Sequence, residues 1–406
     1  MARPKESVDF NPYDQEVVNN PHEFWHKMAS ECPVATYPSE IQSTHIISGY
    51  DDVRAALRDT ETFGSELDAV QIGQVRPMIP LQIDPPEHAR YRRILDPHFG
   101  PRQVAFLEAD FRKFVNEVID EFIDAGECDF HDDFALPIPC TMFLRLMGMP
   151  LEDLDLLVGM KEGLMRPAIR DIEDPVAAMK LRRQTADEIY DYFGQAIADK
   201  RANPGDDIFT AVVSAGADDD GKQLSDEELL DMSFLFLIAG LDTVTASLDC
   251  IVKRLALDDA LRATVAADPG CAEAVVEELM RAETPVTAIL RIAKTDTEIA
   301  GNEIAAGEHV TILLGAANHD PDEFDTPLEL DHERERNRHV AFGGGPHRCL
   351  GSHLARLELR VAIEEFHKRI PDYAPTSGFE PMHAIGIRQL SPFPLVFGDR
   401  LAATRA

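Results

Sequence analysis

The segment 339–351, which reads HVAFGGGPHRCLG, is the most informative stretch of the sequence. It places one cysteine, Cys349, immediately before a segment with helical periodicity. A thiolate there would face the positive end of the helix dipole and the free amides of the first turn, which stabilise negative charge on sulfur. The glycines at 343, 344 and 345 let the backbone turn tightly and approach a flat ligand closely. The segment therefore has the geometry that a thiolate ligand needs.

Two simpler interpretations of this segment exist. A lone cysteine is usually a small buried hydrophobe, which is the interpretation we favour for the other five cysteines. A glycine run can also form a phosphate loop, but no GK[ST] follows it and no βαβ pattern precedes it. The spacing FxxGxxxCxG outweighs both, because several fixed residues rarely coincide by chance. Phe342, Gly345, Cys349 and Gly351 hold this spacing.

With an arginine before the cysteine as well, the segment resembles the signature of the cytochrome P450 superfamily. The resemblance implies a mainly α-helical fold with a small β portion (α+β), organised as a single haem domain over residues 1–406 with no fused reductase. It also implies haem b as the cofactor and Cys349 as the ligand of the haem iron. Phe342, Gly345 and Gly351 would belong to the cofactor-binding loop.

A second motif precedes the cysteine segment. Glu278 and Arg281 are three positions apart, so they share one helix face and can form an ion pair. Alone, this spacing would predict a routine surface salt bridge. It resembles the ExxR pair of the family, which a later arginine completes, and Arg334 is the matching candidate. The resemblance gives these three residues a structural role.

The sequence PPEHARYRR, at 85–93, places His88 and Arg92 at i and i+4 on one side of a helix. One carboxylate could receive two charge-assisted hydrogen bonds from them, although an exposed basic patch is the simpler interpretation. The pair resembles the HxxxR motif of the family, which binds a haem propionate. Arg291 and His347 match the other propionate-binding positions of soluble members.

A long buried helix is predicted from Ser225, because Ser225 and Glu228 have the spacing of a capping box and an apolar run follows at 234–241. Shorter patterns predict one amphipathic helix from Val104 to Phe122, ending at Gly126. Further helices are predicted near 271–281 and after Gly351. Strands are predicted at 298–299, 309–314 and 394–397.

An acid and an alcohol interrupt the long helix at Asp242 and Thr243. An isolated carboxylate in apolar surroundings is costly, so Asp242 should pair with a cation, face water or keep its proton more tightly than usual. The segment resembles the AGxDTT motif of the family, with Ala239 and Gly240 beside the cofactor and the acid and alcohol delivering protons. The second threonine of that motif is Val244 here. A polar edge on a partly exposed helix is the simpler alternative.

Together the motifs predict a haem-thiolate monooxygenase that hydroxylates a small or medium apolar molecule with one oxygen atom of O2. A terpenoid, a steroid and an alkyl aromatic all fit the mostly aliphatic pocket that the resemblance implies. A haem-thiolate peroxygenase or isomerase and a non-catalytic haem sensor are the alternatives. By position in the family, the pocket includes Phe236, Ala239, Val286, Ile289 and Ile385.

Charge restricts the partners. The 406 residues include 73 acidic and 39 basic side chains, a net charge of −34. Such a surface repels phosphate backbones and anionic lipid, so nucleic acid and membranes are disfavoured. The apolar stretch at 232–241 is too short to span a bilayer. Dispersed cysteines without a CxxC pair and the lack of a signal-peptide core in the first ten residues predict a cytoplasmic protein, expected to be a monomer.

The resemblance also implies the source of the electrons, namely a separate ferredoxin and its NAD(P)H-dependent reductase, as in soluble bacterial relatives. Four arginines flank the expected thiolate side and are expected to form a docking patch for an acidic ferredoxin. These arginines are Arg90, Arg93, Arg348 and Arg356.

Overall fold

The computed structural model describes residues 14–37, 44–167, 174–216 and 221–405. The first ten residues, on which the prediction about targeting rests, lie outside this range. Helices dominate and the strands are short, which confirms the predicted fold class. The helices are α1 (Gln15–Asn19), α2 (His22–Glu31), α3 (Tyr50–Ala56), α4 (Glu87–Phe99), α5 (Pro101–Ala105), α6 (Glu108–Asp120), α7 (Pro137–Met147), α8 (Leu154–Met165), α9 (Pro175–Ala202), α10 (Ile208–Val213), α11 (Asp226–Leu257), α12 (Asp259–Ala267), α13 (Ala272–Glu283), α14 (Leu314–Ala317), α15 (Ser352–Arg369) and α16 (Gly398–Arg405).

The described strands form three small sheets. The largest has the order β1-β2-β8-β5-β3, in which β2 and β8 are parallel and the other pairs are antiparallel. A second sheet has the order β4-β10-β9, and β6 pairs with β7. The strands are β1 (Val34–Tyr37), β2 (Thr44–Ile47), β3 (Phe63–Gly64), β4 (Glu127–Asp129), β5 (Ile289–Ala293), β6 (Thr297–Ile299), β7 (Asn302–Ile304), β8 (His309–Ile312), β9 (Tyr373–Pro375) and β10 (Pro394–Phe397).

The chain divides into two compact units. One comprises residues 1–64, 101–138 and 243–406, and it contains the three sheets and the helix pairs α6/α15 and α13/α15. Its core beneath the large sheet is formed by buried aliphatic and aromatic side chains such as Ile47, Val310 and Phe324. The other comprises residues 65–100 and 139–242, in which α8 and α10 pack on α9.

The capping box at the start of α11 is present. The Glu228 amide donates to Ser225 Oγ at 3.2 Å, and the Ser225 amide donates to Glu228 Oε2 at 2.7 Å. The helix is longer than the apolar stretch that the sequence singles out, and by length and composition it could cross a membrane. However, 78% of its most apolar 18-residue window is buried inside the protein, as in a core helix.

Two local predictions were wrong in their bounds. The helix expected from Val104 to Phe122 is split into α5 and α6 by a turn at Phe106 and Leu107, whose amides donate to carbonyls three residues earlier. The turn keeps Val104 and Phe111 buried, so the periodicity survives although the helix does not. The strand expected at 309–314 ends at Ile312, because α14 begins at Leu314.

Candidate active site

The loop before α15 presents Cys349 at the surface. Cys349 is exposed, whereas the other five cysteines are buried or half-buried. Its amide donates to the carbonyl of Phe342 at 3.0 Å, which closes the loop, and the Ser352 amide at the start of α15 lies 3.4 Å from the Cys349 carbonyl. An exposed thiol held just before a helix is available as a ligand, unlike a buried structural cysteine.

The loop depends on Gly345. Its φ is +64°, in the left-handed region, and a Cβ atom there would lie 2.2 Å from the carbonyl oxygen of Leu57. A side chain would therefore strain the loop and collide with backbone. Gly351 differs, since it has no atom within 4 Å of a Cβ position and has a negative φ of −80°.

Gly345→Ala is expected to lower the free energy of unfolding by about 1–3 kcal/mol, the usual cost of a strained backbone conformation. Gly351→Ala is the matched control and is expected to change it by less than about 1 kcal/mol. Urea unfolding followed by circular dichroism measures both. Equal values for the two variants would contradict the steric role of Gly345.

A charged cluster that includes Glu277 of α13 packs against Phe342. The Arg356 guanidinium lies 4.3 Å from the centroid of the Phe342 ring and donates to Glu277 at 2.7 and 3.0 Å. His339 Nε2 lies 3.0 Å from Glu277 Oε2. Burial alone would raise the pKa of Glu277, but the His339 and Arg356 contacts lower it to about 2. The cluster therefore holds an ionised carboxylate at neutral pH.

The three residues of the predicted structural network lie together. Arg281 donates to Glu278 at 2.9 and 2.7 Å, and Arg334 donates to the same carboxylate at 3.3 Å through two nitrogens. Asn337 Nδ2 adds a contact of 3.1 Å that the sequence did not reveal. Burial would raise the pKa of Glu278, but these donors hold it below its ordinary value.

The four predicted propionate ligands occur in three elements: α4, β5 and the turn before Cys349. In α4, His88 is buried, and burial together with the neighbouring Arg92 charge lowers the pKa of His88. Arg92 Nε donates to Asp96 at 2.7 Å. Arg291 is buried in β5 and donates to the Leu290 carbonyl at 2.8 Å, and His347 ends the turn Gly345–His347 before Cys349. Each of the four presents nitrogen donors suited to an anionic group.

Asp242 is fully buried. It contacts two cations, Lys161 in α8 and Arg166 immediately after α8. Arg166 Nη2 donates to Asp242 Oδ1 at 2.5 Å, and Lys161 Nζ lies 3.3 Å from the same oxygen. Glu162 contacts both cations, at 2.6 Å from Lys161 and 3.0 Å from Arg166. The other oxygen, Oδ2, has no hydrogen-bond partner among the described residues. Of the three environments that the sequence left open for this acid, cation pairing is the one observed.

The sequence did not point to Lys161 and Arg166 as functional residues. They precede Asp242 by 81 and 76 positions, and no periodic or spacing signal links positions so far apart. Burial lowers the pKa of Arg166, but Asp242 and Glu162 more than offset that effect and raise it. The carboxylate and the two cations therefore form a charged cluster at the middle of α11.

The neighbours of Asp242 differ in their surroundings. Ala239 is exposed and Thr243 is half-buried, although most of α11 is buried. Ser247 Oγ donates to the Thr243 carbonyl at 2.8 Å. A Cβ atom at Gly240 would lie 2.5 Å from a ring carbon of Phe143, so the glycine allows α7 to approach. The structure thus gives Gly240 a packing role, beside its predicted place near the cofactor.

The predicted pocket residues differ in exposure. Phe236 is buried in α11, at 7% exposure. Val286 and Ile289 are half-buried in the stretch after α13, and Ile385 is 54% exposed. Val286 forms an antiparallel bridge with Ile387, so the structure places the segment around Ile385 beside the stretch that carries Val286.

The predicted docking patch was wrong for Arg90. Its side chain is 11% exposed and pairs with Glu228, which also accepts from Tyr91 at 2.9 Å, so its charge is already matched. Arg356 is paired with Glu277, whereas Arg93 and Arg348 are exposed. The Arg90 pair could not be predicted from sequence spacing, because Glu228 lies 138 positions from Arg90.

A cleft of about 310 Å³ adjoins the cysteine loop. Three of its arginines, Arg54, Arg58 and Arg338, were not singled out by the sequence. Arg338 pairs with Glu323 at 2.7 and 2.6 Å, and Arg54 lies 5.3 Å from the Tyr50 ring centroid. The cleft is therefore a concentration of positive charge on a strongly acidic protein.

The donor set fits a haem better than a bare metal ion. Among the residues that the structure describes, no group of three His, Cys, Asp or Glu side chains could hold a metal ion. One exposed cysteine can supply one thiolate bond, and the remaining bonds to the metal must then come from a cofactor. The glycine loop allows close approach of a flat group, and the buried cations suit carboxylates.

Comparisons with known proteins agree. Residues 271–369 match the family described as Cytochrome P450. The chain is 34% identical over 368 residues to a probable cytochrome P450 127A1 of Sinorhizobium fredii, covering 88% of this chain and 86% of that protein. It is 31% identical over 394 residues to vitamin D(3) 25-hydroxylase of Pseudonocardia autotrophica, covering 94% and 95%.

The same relation holds in three dimensions. The structure matches CYP109E1 of Bacillus megaterium in complex with testosterone with a TM-score of 0.85 and 28% identity, covering 95% of this chain and 99% of that one. Extensive sequence identity, a shared fold and the cysteine loop all lead to one assignment. The chain belongs to the cytochrome P450 family and is a haem b monooxygenase.

Proposed function

We propose that this protein hydroxylates an apolar, fused-ring molecule of steroid-like size, using electrons from a separate ferredoxin. The observation that carries the proposal is the exposed Cys349 thiol in the glycine-shaped loop before α15. Haem b supplies oxygen activation when bound, and thiolate ligation favours cleavage of the oxygen–oxygen bond. In this proposal, residues 1–406 act as one haem domain.

Each proposed site residue has a distinct task. Cys349 ligates the iron, and Phe342 packs behind the loop under the Arg356 charge. His88, Arg92, Arg291 and His347 donate hydrogen bonds to the two propionates.

Asp242 and Thr243 move protons to the oxygen-binding side. Asp242 takes up a proton at Oδ2, the carboxylate oxygen that has no hydrogen-bond partner among the described residues, and releases it to the Thr243 hydroxyl, which passes it on. Arg166 and Lys161 hold the other oxygen, Oδ1. Ala239 is exposed one turn before Thr243 and leaves room for ligand.

The substrate class rests on the pocket residues and on relatives. Val286, Ile289 and Ile385 offer branched aliphatic surface without charge, which suits an apolar molecule. One relative is named for hydroxylation of vitamin D(3), and one similar structure holds testosterone. A fused-ring substrate is therefore favoured over a small terpenoid or an alkyl aromatic.

Testosterone, camphor and butylbenzene separate these classes. Each is titrated into the oxidised protein, and the shift of the Soret band gives the dissociation constant. Testosterone is expected to bind at least about tenfold more tightly than the other two, because it buries the most apolar area. Equal affinities, or tighter binding of camphor, would contradict the fused-ring assignment.

The ferredoxin is proposed to dock at the arginine cleft beside the cysteine loop. Arg54, Arg58 and Arg348 provide positive charge there, and an acidic partner would be steered towards the thiolate side. Charge steering explains how a protein with a net charge of −34 can still attract an acidic protein.

The double variant Arg54→Glu/Arg58→Glu is expected to slow ferredoxin-driven reduction about tenfold at low salt and to flatten its salt dependence. Stopped-flow reduction under carbon monoxide measures both quantities. Lys180→Glu/Arg183→Glu, two exposed cations of α9, is the charge-matched control and should leave the rate unchanged. Similar slowing in both variants would mean that net charge, and not this cleft, governs docking.

A further inference from the structure

The segment 383–390 forms a small hairpin. His383 and Leu390 form an antiparallel bridge, and the Ala384 amide donates to the Gln389 carbonyl at 2.9 Å. Gly386, with a φ of +90°, makes the turn at the tip. Ile385 at that tip is 54% exposed, so the hairpin presents an aliphatic side chain outward from a buried base.

The hairpin lies against the stretch that follows α13. The Arg388 amide donates to the Pro285 carbonyl at 2.9 Å, and Val286 bridges Ile387. Three residues to which the proposed function assigns substrate contact, Val286, Ile289 and Ile385, are therefore carried by two paired segments. Whatever fixes the base of the hairpin also fixes the spacing of these side chains.

A buried charged cluster lies at that base. Glu283, at 0% exposure, receives hydrogen bonds from Lys253 and Arg388, each at 3.1 Å, and Arg388 also donates to the Glu283 carbonyl at 2.6 Å. His22 Nε2 lies 3.2 Å from the free carboxylate oxygen. His383 Nε2 lies 3.2 Å from Lys253 Nζ. The cluster, which we call the Glu283 cluster, consists of His22, Lys253, Glu283, His383 and Arg388.

The members come from four parts of the chain. His22 is in α2, Lys253 is in α11 and Glu283 ends α13, while His383 and Arg388 belong to the hairpin. Burial would raise the pKa of Glu283, but Lys253, His22 and Arg388 hold it well below its ordinary value. Burial and the two neighbouring cations lower the pKa of His383 to about 2. The Glu283 carboxylate is thus the counter-charge of two buried cations, because the cluster contains no second acid.

Residues of α11 and of neighbouring segments also contact the hairpin base, on the side away from the Glu283 cluster. Asp249 Oδ2 accepts from the Leu390 amide at 3.2 Å and lies 2.8 Å from His131 Nδ1. Gln389 Nε2 lies 2.8 Å from His131 Nε2, and Cys250 Sγ donates to the Arg388 carbonyl at 3.0 Å. The backbone of the hairpin base is therefore fixed on both sides, whereas at the tip Thr287 Oγ1 donates to the Gly386 carbonyl over a longer distance of 3.4 Å.

We propose that Glu283 is a positioning residue for substrate selectivity, which it exerts by holding the hairpin and therefore Ile385 in place against the Val286 stretch. This inference rests on the proposed function for the identity of the pocket. Removal of the carboxylate leaves Lys253 and Arg388 buried without their counter-charge. The hairpin that carries Arg388 lies outside any helix, whereas the other three segments of the cluster are helical. The tip would then lose its fixed distance from Val286 and Ile289.

The test compares Glu283→Gln with the parent holoenzyme by two measurements. Amide hydrogen exchange at Ala384 and Arg388 is expected to accelerate on the order of tenfold, because the base opens more often. Imidazole and 4-phenylimidazole are then titrated as iron ligands of different size. The dissociation constant of 4-phenylimidazole should rise about tenfold while that of imidazole stays within about twofold, as expected when only the apolar wall has moved.

Matched variants make the result specific. Ile385→Ala should reproduce the loss of 4-phenylimidazole affinity without faster exchange at the base. Lys200→Met removes another buried ion pair, with Asp207 at 2.8 Å, and should change neither measurement. If Glu283→Gln does not fold, Arg388→Lys, which keeps the charge but loses the Nη1 contacts to the Glu283 carbonyl and carboxylate, is measured instead.

Unchanged exchange and an unchanged ratio of the two azole constants would overturn the inference. The same changes in Lys200→Met would also overturn it, since they would reflect general loss of stability. Loss of the thiolate spectrum in the parent protein would refute the proposed function instead, and hydrogen exchange would still report on the hairpin.

Discussion

Asp242→Asn is expected to lower the rate of product formation by about 10²-fold, the usual contribution of a positioned proton donor. Asparagine fills the same volume but cannot carry a proton, and Asp242 is a fully buried carboxylate in contact with Arg166 and Lys161. Product formation with testosterone and the ferredoxin system gives the rate. Its solvent deuterium isotope effect should rise, because proton delivery becomes slower.

Asp231→Asn is the matched control for this substitution. Asp231 is also a buried acid of α11 and pairs with Arg76 at 2.8 Å, but it lies three turns earlier in the helix. Its replacement should leave turnover within about twofold of the parent and leave the isotope effect unchanged. A similar loss in both variants would show that buried charge in α11 supports folding and would contradict proton delivery by Asp242.

Arg281→Met is expected to lower the free energy of unfolding by about 3–5 kcal/mol, the cost of breaking a buried ion pair. Besides Glu278, the guanidinium donates to the carbonyls of Asn318 and Pro327, at 2.8 and 3.0 Å. The two carbonyls would lose this donor, and Glu278 would keep only its contacts from Arg334, Asn337 and the Asp331 amide. Urea unfolding at neutral pH and haem content per chain measure the effect.

Arg369→Met provides the comparison for Arg281→Met, since Arg369 pairs with Asp120 at 2.7 Å but both side chains are partly exposed. It should cost less than about 1 kcal/mol. The pKa of Glu278 is below its ordinary 4.5, so the network contributes fully above that pH and its contribution falls as pH decreases below it. A small effect of Arg281→Met at pH 7 would refute the structural role of the network.

Local spacing predicted several contacts correctly. The Ser225 and Glu228 capping box lies within one turn, so a spacing of three positions is enough to predict it. Glu278 and Arg281 share a helix face for the same reason. The loop carrying Cys349 is also a short continuous segment. Its glycines indicate the left-handed backbone conformation that other residues rarely adopt. Such features require no knowledge of how distant segments pack.

Long-range pairing lay outside the reach of the sequence pattern. The Arg166 partner of Asp242, the Glu228 partner of Arg90 and the Arg388 partner of Glu283 lie 76, 138 and 105 positions away. Helical periodicity indicates that a side chain is buried, but it does not indicate which charged residue that side chain contacts. The turn that separates α5 from α6 was also hidden, because it keeps Val104 and Phe111 on the buried face.

We propose Cys349 as the thiolate ligand of the haem iron, and the roles of the other site residues depend on this assignment. The most direct measurement is the absorption spectrum of the reduced, carbon-monoxide-bound protein, recorded for the parent and for Cys349→Ala. We expect a strongly red-shifted Soret band in the parent and its loss in the variant, because only a thiolate ligand produces that shift. Absence of the band in the parent, or its survival in Cys349→Ala, would contradict the assignment.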